Sequence, residues 1–500
     1  MVLLDGTSLT LEQLLAIADH GATVALAGAA RDRVRASRAV VDRRAQGDEP
    51  AYGINTGFGS FADVKIAPEA LETLQLNLLR SHAAGLGDPL PVRAVRATMA
   101  LRATVLATGF SGISVETLDA LIALLNRGVH PRVPSRGSVG ASGDLAPLAH
   151  LALSLIGEGD LHHGATLGAA SALLSGAGLA PLVLAPKEGI TLINGTQAHT
   201  AVAALAVADA RTLWHTAHVS GGASLEALLG TPAAFDPRIQ DARGQEGQRD
   251  SAALLRALLA GSEIRESHRE GDRRVQDAYA LRCMPQVHGP VLDAIRFAEG
   301  VIGCELNAAT DNPLVFDDGT MLSGGNFHGQ AVAMVLDFLA IAMTNLATIA
   351  ERRIDRVVHP DLNEGLPPFL ARDAGLHSGF MMAQVTAAAL ASECKVLSHP
   401  ASVDTIPTDG NKEDVVPMAM GAAWKLRRII GNVQHILAIE LMCAAQGIEY
   451  RRPLRAGHGV EAAYERIRAL VAPLGDDRVL SGDIQRLAAA VAAKNFVIAS

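Results

Sequence analysis

The chain has 500 residues, more than one ordinary core supports, so two or more lobes are expected. A net charge of −9 with scattered basic residues speaks against a nucleic-acid partner. Cys283, Cys304, Cys394 and Cys443 form no C-x-x-C pair and read as reduced core thiols of a cytosolic protein.

The N-terminus, MVLLDGTSLT, has no basic region followed by an apolar run, so no signal peptide is expected and the location is read as cytoplasmic. LEQLLAIADHGA predicts a helix ending at a glycine. Tyr52 opens AYGINTGFGS, whose glycines at 53, 57 and 59 suit a mobile lid; an ordinary surface loop with a half-buried tyrosine fits equally. PEALETLQLNLLRSHAAG and VRAVRATMALRATVLATG show apolar residues at helical spacing, the first stopping at Gly85. His82, near that stop, reads by itself as a cap or a satisfied surface group.

The stretch GSVGASGDLAPLAH, residues 137–150, holds Ala141-Ser142-Gly143. These three residues can react with one another. The Gly143 nitrogen is unhindered and can attack the Ala141 carbonyl to close a five-membered ring. Loss of water, and of the Ser142 hydroxyl as a second water, leaves a methylidene electrophile of a kind no side chain supplies. Alone, the tripeptide would read as a loop before a helix starting near Leu145, with Asp144 in the first turn. The piece GITLI reads as strand-like, and Asn194 follows it in an Asn-Gly turn.

Beyond Gly195 several apolar, helix-favouring stretches exceed 20 residues. They favour an extended helical bundle over a compact α/β layer. Ala331 to Ala350 contains Asp337 and Asn345 and fits a buried bundle helix better than a membrane span. Abundant alanine and apolar surface suggest an oligomer. The polar segment from Pro237 to Glu270 reads as an exposed excursion. His215 and His218 have H-x-x-H spacing without an acidic or cysteine partner, so they read as polar helix residues and no metal is expected. Gln276, Tyr279 and Arg282 would share one face of a helix. Phe327 reads as a core aromatic and Glu413 as a solvated loop acid. No phosphate-binding or dinucleotide glycine motif is present.

The fourteen residues GSVGASGDLAPLAH resemble the signature of the aromatic amino acid ammonia-lyases and aminomutases. That resemblance covers nearly the whole chain. It implies a mainly α fold, with a long central helical bundle and a smaller mixed N-terminal lobe carrying the reactive loop. The lobes are expected at 1–200 and 201–500. It also implies a 4-methylidene-imidazol-5-one group (MIO) formed from Ala141, Ser142 and Gly143, with no external cofactor. YGINTGFG resembles the loop of the catalytic tyrosine, which gives Tyr52 the role of base. A free tyrosine has a pKa of about 10, so positive potential would have to lower it. Asn194 in LINGTQ would hold the MIO oxygen, and Phe327 in GGNFHG would pack beside the ring. QDxYxxR resembles the substrate-carboxylate segment, which places Gln276, Tyr279 and Arg282 in a neighbouring subunit's site within a homotetramer.

His82 in LLRSHAAGLG and Glu413 in DGNKEDVVPM resemble the histidine-acting members, where they would hold an imidazole. The implied reaction is elimination of ammonia from L-histidine to give trans-urocanate, the first step of histidine degradation. Phenylalanine or tyrosine ammonia-lyase and aminomutase are the alternatives. Lys412, Val415 and Pro417 depart from the family's usual residues around Glu413. Intact Ser142, Tyr52 and Asn194 argue against a silent homologue acting as a scaffold. The partner implied is a small amino acid, with no nucleic acid and no membrane.

Overall fold

A computed structural model describes residues 1–47, 49–272 and 274–497. Helices dominate, and the chain divides into two compact units. The first comprises Met1–Leu205, Glu299–Leu336 and Pro400–Trp424; the second comprises Ala206–Ala298, Asp337–His399 and Lys425–Ser500. This differs from a simple division at residue 200. Two later segments return to the first unit, and composition gives no sign of such a return.

In the first unit, Thr10 and Gln13 form a reciprocal cap that starts the helix Leu11–His20, and Gly21, at φ 67°, ends it. That helix packs on Val92–Ala107, which also touches Val115–Asn126. Val92–Ala107 is buried nearly all round, Arg96 and Arg102 included. Leu71–His82, Leu145–Leu155 and Glu188–Ile193 pack against one another. Among the described residues, the short strands all belong to this unit. They include a parallel pair, Val2–Leu4 with Val24–Leu26, and an antiparallel set of Val129–Pro131, Asp160–His163 and Thr166–Ala169.

The strand-like GITLI is in fact helical, within Glu188–Ile193. A short apolar run does not distinguish the two forms by periodicity. Here tertiary contacts decide: the Glu188 carboxylate accepts from Ala185 N at 2.8 Å and Ser114 N at 3.1 Å, and every residue of the helix is buried.

In the second unit the segment from Pro237 to Glu270 is not an exposed excursion. It forms helices Pro237–Arg243, Glu246–Leu259 and Glu263–Ser267, with Leu255, Leu258 and Ile264 in the core. The polar residues cover one face and the leucines the other. Gln276 does not share a helix face with Tyr279 and Arg282, because the helix spans only Tyr279–Arg282. Asp277 accepts from Thr231 N at 2.7 Å, and Ala278 is extended, so a tertiary contact holds the chain straight before Tyr279.

His215 and His218 are helix residues of Gln197–Ala227, and His218 is fully buried. It bonds Trp214 O at 2.8 Å and Ser251 Oγ at 2.7 Å, and burial depresses its pKa to about 3. Of the cysteines, Cys394 and Cys443 are core thiols, but Cys304 is exposed.

Helices Gln197–Ala227, Gln330–Val358 and Ala419–Glu449 supply this unit's central charge cluster. Arg353 and Glu440, both fully buried, pair at Nη2–Oε2 3.0 Å. Ser220 and Ser224 donate to the same carboxylate at 2.7 and 2.9 Å. Gln330–Val358 is long and apolar enough to cross a membrane, yet 67% of its most apolar window is buried inside the fold.

Candidate active site

Ala141-Ser142-Gly143 sits in a loop that backbone contacts close tightly. Gly140 and Gly143 have φ of 77° and 72°, a region that side chains rarely adopt. Gly143 abuts Gly195 so closely that a Cβ there would collide with the Gly195 carbonyl. Asp144 N donates to Gly195 O at 2.7 Å, and Gly329 N donates to Gly140 O at 3.0 Å. Asp144 occupies the N-cap of Leu145–Leu155 rather than its first turn. Its carboxylate does not cap that helix but turns to Ser138 and His199.

Asn194, in the turn after Glu188–Ile193, donates from Nδ2 to the Ser142 carbonyl at 2.9 Å. This carbonyl would become the ring oxygen of MIO, and an amide donor aimed at it suits an oxyanion. Arg102 fixes the asparagine from behind. Its Nη1 donates to Asn194 O at 2.8 Å and to Gln197 Oε1 at 2.6 Å. Burial lowers the Arg102 pKa to about 10, which leaves the guanidinium charged at neutral pH. The Asn194 Oδ1 atom is buried without a hydrogen-bond partner among the described residues.

Tyr52, His82, Ser142, Asn194 and Glu413 line a cavity of about 580 Å³. Phe327, Ala141, Lys412 and Val415 line another of about 490 Å³, which shares Tyr52, Ser142 and Glu413 with the first. Either is large enough for an amino acid. Phe327 lies in the turn before Gln330–Val358 and is half-buried, not a core aromatic. Glu413 is no solvated acid: one oxygen accepts from Ser142 Oγ and the other from Thr408 Oγ1. The His82 Nδ1 atom lies 2.9 Å from Leu78 O. Burial lowers its pKa, with the Leu78 contact, Asp409 and Glu413 opposing, which favours a neutral imidazole.

Tyr52 differs from expectation. Its hydroxyl accepts from Gly59 N at 3.3 Å, which stabilises a phenolate. Burial nevertheless raises its pKa, and the Asp409 and Glu413 carboxylates add to the rise. The lowering by positive potential is not found, because the charges facing this phenol in the unit are mainly acidic.

Gln276, Tyr279 and Arg282 belong to the second unit. Tyr279 is 70% exposed, and the Arg282 guanidinium lies 4.6 Å from its ring centroid. Sequence reasoning missed Arg102, His199 and Asp409. Arg102 had a signal, an arginine in the most apolar part of a helix that also carries Arg93 and Arg96; Asp409 and His199 had none beyond ordinary loop and helix polarity.

A family model described as aromatic amino acid lyase matches residues 9–469. A histidine ammonia-lyase of Anaeromyxobacter sp. (strain K) is 56% identical over 499 residues, covering 98% of each chain. The crystal structure of histidine ammonia-lyase from Trypanosoma cruzi is 43% identical with a TM-score of 0.92, over 99% of this chain and 94% of that one. A tyrosine aminomutase from Streptomyces globisporus is 37% identical with a TM-score of 0.93, over 99% and 97%. The chain belongs to the aromatic amino acid lyase family.

Proposed function

We propose that this chain eliminates ammonia from L-histidine to give trans-urocanate. The observation that carries the reading is one cavity lined by Ser142 of the reactive tripeptide, Asn194, and an imidazole-recognising pair, His82 and Glu413. The curated relatives at 50–56% identity bear the same activity in their names. The tight loop, the glycine at 143 and the orphaned Asn194 amide oxygen fit a ring built from Ala141, Ser142 and Gly143. Once formed, that MIO group supplies an electrophile that makes the substrate amine a better leaving group.

The chain's own residues do the rest. Asn194 holds negative charge on the former Ser142 oxygen. Tyr52 takes the β-proton, its phenolate supported by the Gly59 amide. Glu413 accepts an imidazole N–H and His82 exchanges a hydrogen bond with the other nitrogen. Phe327 packs beside the ring. Gln276, Tyr279 and Arg282 grip the substrate carboxylate of a neighbouring copy in a homotetramer, which accounts for a tyrosine 70% exposed in the single chain. A cytoplasmic location completes the proposal.

The test is near-ultraviolet absorbance of the purified protein with L-histidine, L-tyrosine or L-phenylalanine, with Ser142→Ala as control. A urocanate band with histidine alone, lost in the variant, is the expected result. Cinnamate or coumarate instead would move the specificity to the residues around Glu413. Silence with all three substrates would overturn the lyase reading and point to an aminomutase, an untested amine or an unformed ring.

A further inference from the structure

Behind the reactive loop lies a buried ion pair that the proposed mechanism does not use. His199, in the first turn of Gln197–Ala227, and Asp144 are both fully buried, with Nδ1 to Oδ2 at 2.9 Å. The same carboxylate accepts from His199 N at 2.7 Å and from Ser138 Oγ at 2.7 Å. Ser138 Oγ in turn accepts from Gly140 N at 3.1 Å. An unbroken chain of contacts therefore runs from His199 through Asp144 and Ser138 to Gly140, and it ties together the two ends of the loop holding Ala141, Ser142 and Gly143.

The imidazole has no room to leave. A Cβ at Gly329 would lie 2.7 Å from its Cε1 and 2.8 Å from its Nε2, so the ring fills the space against Gly329. Gly329 is itself bonded to Gly140. A lone carboxylate at this depth would protonate, since burying an unpaired charge is costly. Burial works against charge on both partners. Even so, the Asp144 carboxyl stays below its usual range, and Asp144 with Glu305 holds the His199 imidazole above its own.

We infer that His199 is a positioning residue for closure of the Ala141-Ser142-Gly143 ring: wedged between Asp144 and Gly329, it holds the Asp144 carboxyl group against Ser138 and so keeps the loop compressed. The inference rests on the proposed function. In the step concerned, the Gly143 nitrogen bonds to the Ala141 carbonyl carbon. That oxygen departs as water with the Gly143 and Ser142 amide hydrogens. The Ser142 hydroxyl departs with its own Cα hydrogen as a second water. No oxidant or co-reactant is needed.

The test is intact mass under denaturing conditions, alongside kcat, KM and melting temperature, on the full-length protein. Wild type should be lighter than its translated sequence by two waters, and Ser142→Ala should not. His199→Gln should be folded but partly or wholly at full mass, with kcat falling in proportion to the unclosed fraction and KM unchanged. Gly329→Ala, which keeps His199 but pushes on its ring, should show the same defect. His218→Gln, an equally buried histidine of the second unit, should close fully. A folded His199→Gln protein that has lost both waters would overturn the inference. So would loss of soluble protein in both the His199 and Gly329 variants, which would mark a folding role. Wild-type protein at full mass would instead overturn the proposed function itself.

Discussion

The two units each bury a cluster of charge, and they satisfy it differently. In the second unit, Glu440 is saturated by Arg353, Ser220 and Ser224. In the first, Arg102 Nε and Asn194 Oδ1 remain without partners among the described residues, directly behind the reactive loop. Saturation holds one arrangement of helices in place. In the first unit it is the Asn194 amide donor, aimed at the Ser142 oxygen, that would meet charge appearing only during reaction. The contrast predicts that variants in the two clusters fail in different ways.

The largest effect is expected at Tyr52, the proposed base. Tyr52→Phe should lower kcat by about 10²–10⁴-fold with the melting temperature nearly unchanged, measured by steady-state kinetics and thermal unfolding. Next is Arg353→Met, which strands a buried carboxylate. It should cost about 3–5 kcal/mol of stability in denaturant titration while the surviving folded fraction keeps its KM. A normal midpoint would show that the second cluster is not what fixes those helices. Asn194→Ala should do the reverse, lowering kcat about 10²–10³-fold at little cost in stability. Glu413→Gln should weaken histidine binding by about 1–1.5 kcal/mol, read as a rise in KM, because a charge-assisted bond to the imidazole becomes a neutral one.

The smallest effect concerns pH. The Tyr52 pKa lies above its usual value through burial and then through Asp409 and Glu413, so base activity should grow as pH rises toward it. Asp409→Asn removes one of those negative charges. The ascending limb of kcat should move to lower pH, and a limb that stays put would remove Asp409 from the Tyr52 environment.

Much of this was legible in the chain. Long apolar stretches with capping residues gave the helices, and GSVGASGDLAPLAH and YGINTGFG pointed to the loop and the base. What escaped depends on contacts between distant segments. GITLI became helical because Glu188 found partners at Ser114 and Ala185. The Gln276 face dissolved because Asp277 was claimed by Thr231. The acidic surroundings of Tyr52 come from residues some 350 positions later, and no local pattern announces them.

The backbone contact of Gly143 with Gly195 has a consequence for anyone building variant libraries. A side chain at either position would strike the other strand or the Arg102 and Gln197 groups behind it. The two positions are therefore locked jointly, and mutating one offers no relief for a change at the other. Diversity aimed at new substrates is better placed across the cavity, at Lys412 and Val415, where the wall is made of side chains and can be recut without disturbing the chain's own chemistry.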